Sequence, residues 1–170
     1  LKRIDLCDGF CGWIINKFLK ITPKDEYIYY KLQQKYNVEE MKKLSIKFQI
    51  PLDSGKLFPG TRIFSKFVVN KEDLVYNTRA WCFPVDMTEG AVLRYRMSGD
   101  KIRPNRKSGS KLLKDYFIDN KVPREVRDKL IVLAKGNEVM WICGIGGIYS
   151  GPKPDDPAKT NIVKIWCEIQ

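Results

Sequence analysis

The chain opens with an apolar stripe and then changes period. Phe10, Ile14, Phe18 and Ile21 recur at helical spacing, which predicts a helix over Phe10–Ile21 with one buried face. Thr22-Pro23 breaks it, and Asp25–Tyr36 reads as a second helix. Asn37 followed by Glu40 opens a third, short helix through Leu44. From Ser45 the alternation is that of strands: Ile46, Phe48 and Ile50 alternate with polar neighbours, and Arg62–Val69 and Ala91–Met97 are strand-like too. Pro51–Gly60 holds two prolines and two glycines, so it reads as a loop and places a domain boundary near residue 50.

The second half is a run of short elements. Ser98-Gly99-Asp100 is a turn, Arg103–Ser110 a basic loop, and Lys111–Asp119 an amphipathic helix with Leu112, Leu113, Tyr116 and Phe117 on its apolar side. Val122-Pro123 opens another short helix running to about Leu130. Ile131–Ala134 and Glu138–Cys143 read as a hairpin across Gly136-Asn137. A proline-rich loop, Gly151–Ala158, and a final strand, Asn161–Ile169, complete the chain, while Thr78–Glu89 fits neither period. The expected class is α+β. It comprises an N-terminal helical segment (1–50) and a mixed domain of antiparallel strands with two short helices (51–170).

Composition narrows the chemistry. The 170 residues are 44% hydrophobic and 12% aromatic, enough for a core. There is no histidine, which removes histidine-based nucleophile systems, the HExxH metal pattern and histidine-anchored zinc deaminases. Five cysteines are present: Cys7, Cys11, Cys82, Cys143 and Cys167. They do not form the two tight pairs of a four-cysteine zinc site. Cys82, Cys143 and Cys167 stand beside aromatic or β-branched residues, as reduced core thiols do, and point to a reducing cytosol. No catalytic residue and no metal ligand is expected. Phe10–Ile21 is too short for a bilayer, which needs about 20 apolar residues. The tyrosines 27, 29, 30 and 36 read as helix-packing surface, and Leu1 in place of methionine hints at a piece of a longer protein.

Charge is concentrated. The chain has 31 basic and 20 acidic residues, a net +11. Between Arg94 and Lys114 there are eight basic residues (Arg94, Arg96, Lys101, Arg103, Arg106, Lys107, Lys111 and Lys114) against Asp100 alone, a net +7. Such a density suits phosphate contacts, which supply most sequence-independent affinity for nucleic acid. By charge alone, a solvated basic face without a partner fits equally well.

The order of motifs decides between them. RYRxxGDKIRP (94–104), GSKxLKDYFID (109–119), KVPREVRD (121–128) and an apolar hairpin ending W-x-x-G (141–144) follow one another with short gaps. In this run the chain resembles the C-terminal domain of the tRNA(Ile)-lysidine synthase family, with weaker similarity back to about Phe58. It departs from the family at Ser98, where proline is frequent, at Leu112, where lysine is, and at Ile145-Gly146, where arginine is. The glycines around Gly146 precede a proline-rich segment instead of a helix, so they are not a nucleotide loop.

The resemblance implies a parent enzyme that uses ATP, with Mg, to activate the wobble cytidine of an isoleucine tRNA with a CAU anticodon and join it to lysine. That chemistry belongs to an N-terminal domain carrying an SGGxDS phosphate loop, a motif this sequence lacks. The present chain would grip the tRNA body and acceptor stem in the cytoplasm, with no membrane partner and with homodimer formation left open. By motif position, Arg94, Arg96, Lys101, Arg103, Lys111, Lys114, Lys121, Arg124 and Arg127 carry over as RNA contacts, and Arg106 and Lys107 join them from the basic loop. Leu112, Leu113, Phe117, Val122 and Trp141 are expected in the core, and Asp100 and Asp128 are expected to orient basic neighbours. The competing readings are a stand-alone basic interaction module and, less compatible with the missing histidine and phosphate loop, a self-sufficient enzyme.

Overall fold

Alternation governs more of the chain than the sequence pattern suggests. The computed structural model describes residues 2–5, 10–15, 18–23, 45–53, 58, 60–104, 109–148 and 153–169. Strands β1 (Lys2–Asp5), β2 (Phe10–Ile15) and β3 (Phe18–Pro23) form an antiparallel sheet in that order, with Ile15 opposite Phe18. The helix expected over Phe10–Ile21 is therefore not formed. Both runs are rich in aromatic and β-branched residues, which favour pleated backbone, and Gly12 weakens a helix. The helical spacing of the large residues arises because nearly every position there is apolar. The helices expected over 25–36 and 37–44, and the tyrosines among them, lie outside the described residues.

The remaining strands build two further sheets. In chain order they are β4 (Ser45–Lys47), β5 (Leu52–Asp53), β6 (Thr61–Val68), β7 (Ala80–Pro84), β8 (Val92–Tyr95), β9 (Lys101–Ile102), β10 (Lys111–Leu112), β11 (Ile131–Lys135), β12 (Glu138–Ile142), β13 (Gly146–Gly147) and β14 (Ile162–Ile169). Helices α1 (Val85–Thr88), α2 (Leu113–Asp119) and α3 (Arg124–Arg127) are short. One sheet runs β10-β9-β12-β11-β8-β4, with β13 also on β12; the other runs β5-β6-β14-β7. The α+β class holds. Strand pairing crosses the boundary expected near residue 50: Ile46 pairs with Leu93, and Phe48 donates its N–H to Ala91 at 3.0 Å and lies in the core. Ile46 and Phe48 need an apolar surface to cover, and the strand edge at β8 supplies it.

The period of two splits the central sheet between two cores. Leu93, Tyr95, Ile131 and Leu133 pack with Ile63, Val163, Ile165 and Cys167 of the second sheet. On the other face, Val132, Ala134 and Ile142 lie under Leu113, Phe117, Val122, Val126 and Leu130 from the helical layer. Trp141 is fully buried and Leu112 half-buried. Cys82, Cys143 and Cys167 are buried and free; burial is the main cause raising the Cys82 and Cys143 thiols above the ordinary range. A separate lock holds the proline-rich segment. The Tyr76 hydroxyl donates to the Pro154 carbonyl, and the Lys153 ammonium lies 5.0 Å from the Tyr76 ring centre and 4.8 Å from that of Trp81. Trp81 in turn lies against Gly147, where a Cβ would come within 2.2 Å of the indole.

One charged residue sits between these apolar surfaces. Arg94, in register with Val132, is only 7% exposed. Its guanidinium donates to both oxygens of Asp100 at 2.7 and 2.9 Å, to the Tyr95 carbonyl at 3.0 Å and to the Gly136 carbonyl at 3.0 Å. Asp100, 3% exposed, also accepts from the Met97 N–H at 2.8 Å, while its carbonyl accepts from Leu113 N–H at 2.8 Å. The pair thus ties β8, the 97–100 turn, the β11–β12 hairpin and the start of α2 together.

The packing can be tested at both of these points. Asp100→Asn, which leaves a buried guanidinium uncompensated, is expected to cost about 3–5 kcal/mol in denaturant unfolding. Adding Arg94→Met should recover most of that loss, because it removes the uncompensated buried charge while the amide oxygen at position 100 still accepts from Met97 N–H. No recovery would mean that the pair is not the source. The second test concerns alkaline pH. Burial, helped by the Cys82 and Asp155 charges, raises Tyr76 from 10.0 to about 12. The fold therefore binds that proton more tightly than the unfolded chain does. The contribution is complete below pH 10 and is lost as pH rises towards about 12. Tyr76→Phe should flatten the fall in melting temperature over that window.

Candidate nucleic-acid interface

The basic residues singled out in the sequence fall into three groups. Arg94 is withdrawn from the surface: its four hydrogen bonds run to Asp100 and to two carbonyls, so it braces the interior and offers nothing to a phosphate. Arg127 also works inward in part, donating Nε–H to the Val122 carbonyl at 2.9 Å, which fastens α3 to the turn after α2. Arg96, Arg103 and Lys111 are accessible but paired, with Asp128, Glu138 and Asp119 respectively. The Arg103–Glu138 contact is 3.3 Å long between side chains that are 60% and 53% exposed. Pairs of this kind contribute about 0–1 kcal/mol and exchange partners readily.

Lys101, Lys114, Lys121 and Arg124 are exposed, and none has a carboxylate partner among the described residues. They stand on β9, on α2, at the start of α3 and on the turn between the two helices. That turn is sharp enough to place Lys121 at φ 53°, in the left-handed region, which costs a non-glycine residue energy that the Val122 and Phe117 packing must offset. Arg106 and Lys107 lie outside the described residues. Asp100 and Asp128 each hold a basic neighbour, as the sequence led us to expect.

Shallow hollows open among these cations. One of about 320 Å³ is lined by Arg96, Met97, Ser98 and Asp128; another of about 220 Å³ shares Arg96–Ser98 and adds Gly99, Asp100, Leu112 and Lys114. A third, of about 160 Å³, is lined by Lys101, Ile102, Arg103, Ser110, Asn137 and Glu138. Leu112 in the second and Lys101 in the third are register partners, so these two hollows are neighbours. Gly99, at φ 86°, lets the backbone turn between β8 and β9, and nothing lies within 4 Å of the space a Cβ would take. The Arg96 Nε is buried without a hydrogen-bond partner among the described residues. Met97, 56% exposed, adds an apolar surface beside it. Asn137 escapes sequence reasoning as a site residue, since it is an ordinary turn residue until the fold brings it beside Lys101 and Arg103; Ser110, from the basic loop before α2, lines the same hollow. Among the described residues no group of three or more cysteine, aspartate or glutamate side chains is placed to hold a metal, and no helix is long and apolar enough to cross a membrane.

This geometry is built on a recognisable segment. Residues 91–159 match the TilS substrate C-terminal domain family. The tRNA(Ile)-lysidine synthase of Clostridium perfringens is 44% identical over 62 residues, 36% of this chain and 13% of that protein. The synthase of Clostridium tetani is 41% identical over 87 residues, 51% of this chain and 18% of that protein. That of Persephonella marina is 26% identical over 142 residues, 76% of this chain and 30% of that protein. The chain thus spans less than a third of the length of these relatives. A crystal structure of a TilS C-terminal domain superimposes with a TM-score of 0.59 at 18% identity, covering 74% of this chain and 96% of that one. Residues 91–159 thus match the TilS substrate C-terminal domain family in sequence, and the chain shares the fold of a TilS C-terminal domain.

Proposed function

We propose that this chain is the tRNA-gripping part of a ligase that attaches lysine to the wobble cytidine of an isoleucine tRNA. In this reading ATP and Mg act in a separate catalytic unit, and the chain contributes binding and orientation. The observation that carries the proposal is the set of four exposed cations without carboxylate partners among the described residues, two of which, Lys101 and Lys114, line hollows shared with Arg103 and Arg96. All lie within the segment that matches the family. Cations on rigid strands and short helices suit the phosphates of an A-form stem, whose deep major groove side chains cannot read. Arg94 has no place among the contacts, and its motif neighbours act from a frame that Arg94 holds.

The test is tRNA binding at several salt concentrations, beside a Lys101→Gln/Lys114→Gln/Lys121→Gln/Arg124→Gln variant. If all four meet phosphates, the slope of log affinity against log salt should flatten by roughly 3 units, since each contact contributes about 0.7–0.9. The variant should keep its melting temperature, because all four side chains are exposed. An unchanged slope would remove these residues from the interface, and wild-type protein that fails to bind tRNA at low salt would overturn the proposal.

A further inference from the structure

Each of the three hollows has an acid in its lining, which is unexpected at a surface meant for a polyanion, and Asp100 in the 220 Å³ one is committed to Arg94. Asp128 lines the 320 Å³ hollow and pairs with Arg96, whereas Glu138 lines the 160 Å³ hollow and pairs with Arg103. Neither acid serves the interior: their side chains are 41% and 53% exposed, in contrast to Asp100 at 2%. Each carboxylate stands where an anion bound by its arginine would stand and meets the guanidinium through one oxygen, as a phosphate oxygen could. Arg96 still keeps a buried Nε–H without a partner, so its resident acid does not saturate it.

We propose that Asp128 and Glu138 are displaceable stand-ins for two RNA phosphates. At rest they hold Arg96 and Arg103 in a charge-balanced, ordered state; on binding, a phosphate replaces each carboxylate at its guanidinium. The proposal rests on the RNA-gripping reading and deepens it, since it makes two acids determinants of affinity at that surface. The stand-ins act as a filter. A polyanion that reaches only one hollow gains little over the carboxylate it displaces, whereas a strand with phosphates at both positions gains from both arginines. The two carboxylates are the accessible partners, so an incoming anion can take their place, and contacts near the surface are individually weak.

The experiment is a double-mutant cycle with a tRNA transcript, using wild type, Asp128→Asn, Arg96→Ala and the double variant, with the parallel cycle at Glu138→Gln and Arg103→Ala. Asp128→Asn should tighten binding by roughly twofold to fivefold, as expected for release of one such ion pair, and should steepen the salt slope by about 0.7–0.9. That gain should vanish in the Arg96→Ala background. A gain that persists without Arg96 would be a general effect of net charge and would overturn the proposal. Weaker binding in Asp128→Asn would also overturn it, by showing that the acid positions the arginine for RNA. Heparin retention of the same variants separates anion displacement from RNA recognition. If wild type fails to bind tRNA, an Arg96-dependent delay of Asp128→Asn on heparin still supports displacement by an anion. In that case only the RNA reading falls.

Discussion

The Arg94–Asp100 ion pair is the constraint on which the rest of the domain depends. A guanidinium buried between a sheet and a helical layer is costly unless its donors are used, and here a carboxylate and two carbonyls use them. Asp100 reaches this position only if the chain turns tightly after β8, which Gly99 permits. The same aspartate closes that turn on Met97 N–H and receives the first N–H of α2 on its carbonyl. Because Gly136 supplies one of the carbonyls, the β11–β12 hairpin is tied to the same point. The hydrophobic cores on either side supply most of the stability, but nothing in them specifies direction. The ion pair sets how the turn, the hairpin and the helix are aimed.

That aiming determines what the surface presents. Lys101 follows Asp100 directly, and its N–H is fixed to the Asn137 carbonyl at 2.8 Å; Arg96 N–H is fixed to the Leu130 carbonyl at 3.2 Å. The cations of the hollows thus hang from backbone positions held by a buried charge pair, so the long side chains are mobile only beyond a rigid root. A phosphate-binding surface needs this division: ordering a lysine or arginine costs up to about 2 kcal/mol of side-chain entropy, and a fixed root reduces what remains to be ordered. The two kinds of charge follow different rules. The buried pair must be complete, whereas the exposed pairs at Arg96, Arg103 and Lys111 are weak enough to be exchanged.

The lock formed by Tyr76, Trp81 and Lys153 does comparable work at the second sheet with different chemistry. It holds the segment after β13 by a hydroxyl-to-carbonyl bond and a lysine shared between two rings at right angles, 86° apart. Gly147 is required because the indole occupies the volume a Cβ would take. Within the glycine-rich 144–147 run, Gly147 is thereby explained by close packing against an aromatic ring, and Gly144 and Gly146 by left-handed backbone angles of 81° and 110°.

Much of the second half of the fold is legible in the sequence, because the signals there are local. Period-two alternation marks β6, short apolar runs mark β11 and β12, Gly136-Asn137 marks the hairpin between them, and Leu113 and Phe117 mark the buried side of α2. The first strands are not legible, because a run that is apolar at almost every position fits a helix and a strand equally well. Only hydrogen-bonded neighbours choose between the two, and β1–β3 supply them to each other. The candidate site is half legible: motif order and charge density locate it between residues 94 and 128. By itself, then, the sequence determined the class, the later elements and the neighbourhood of the site. Only the tertiary structure decided that Arg94 turns inward, that Asp128 and Glu138 enter the hollows and that Asn137 joins them. A side chain's role depends on its burial and its partners, and these come from residues remote in the chain.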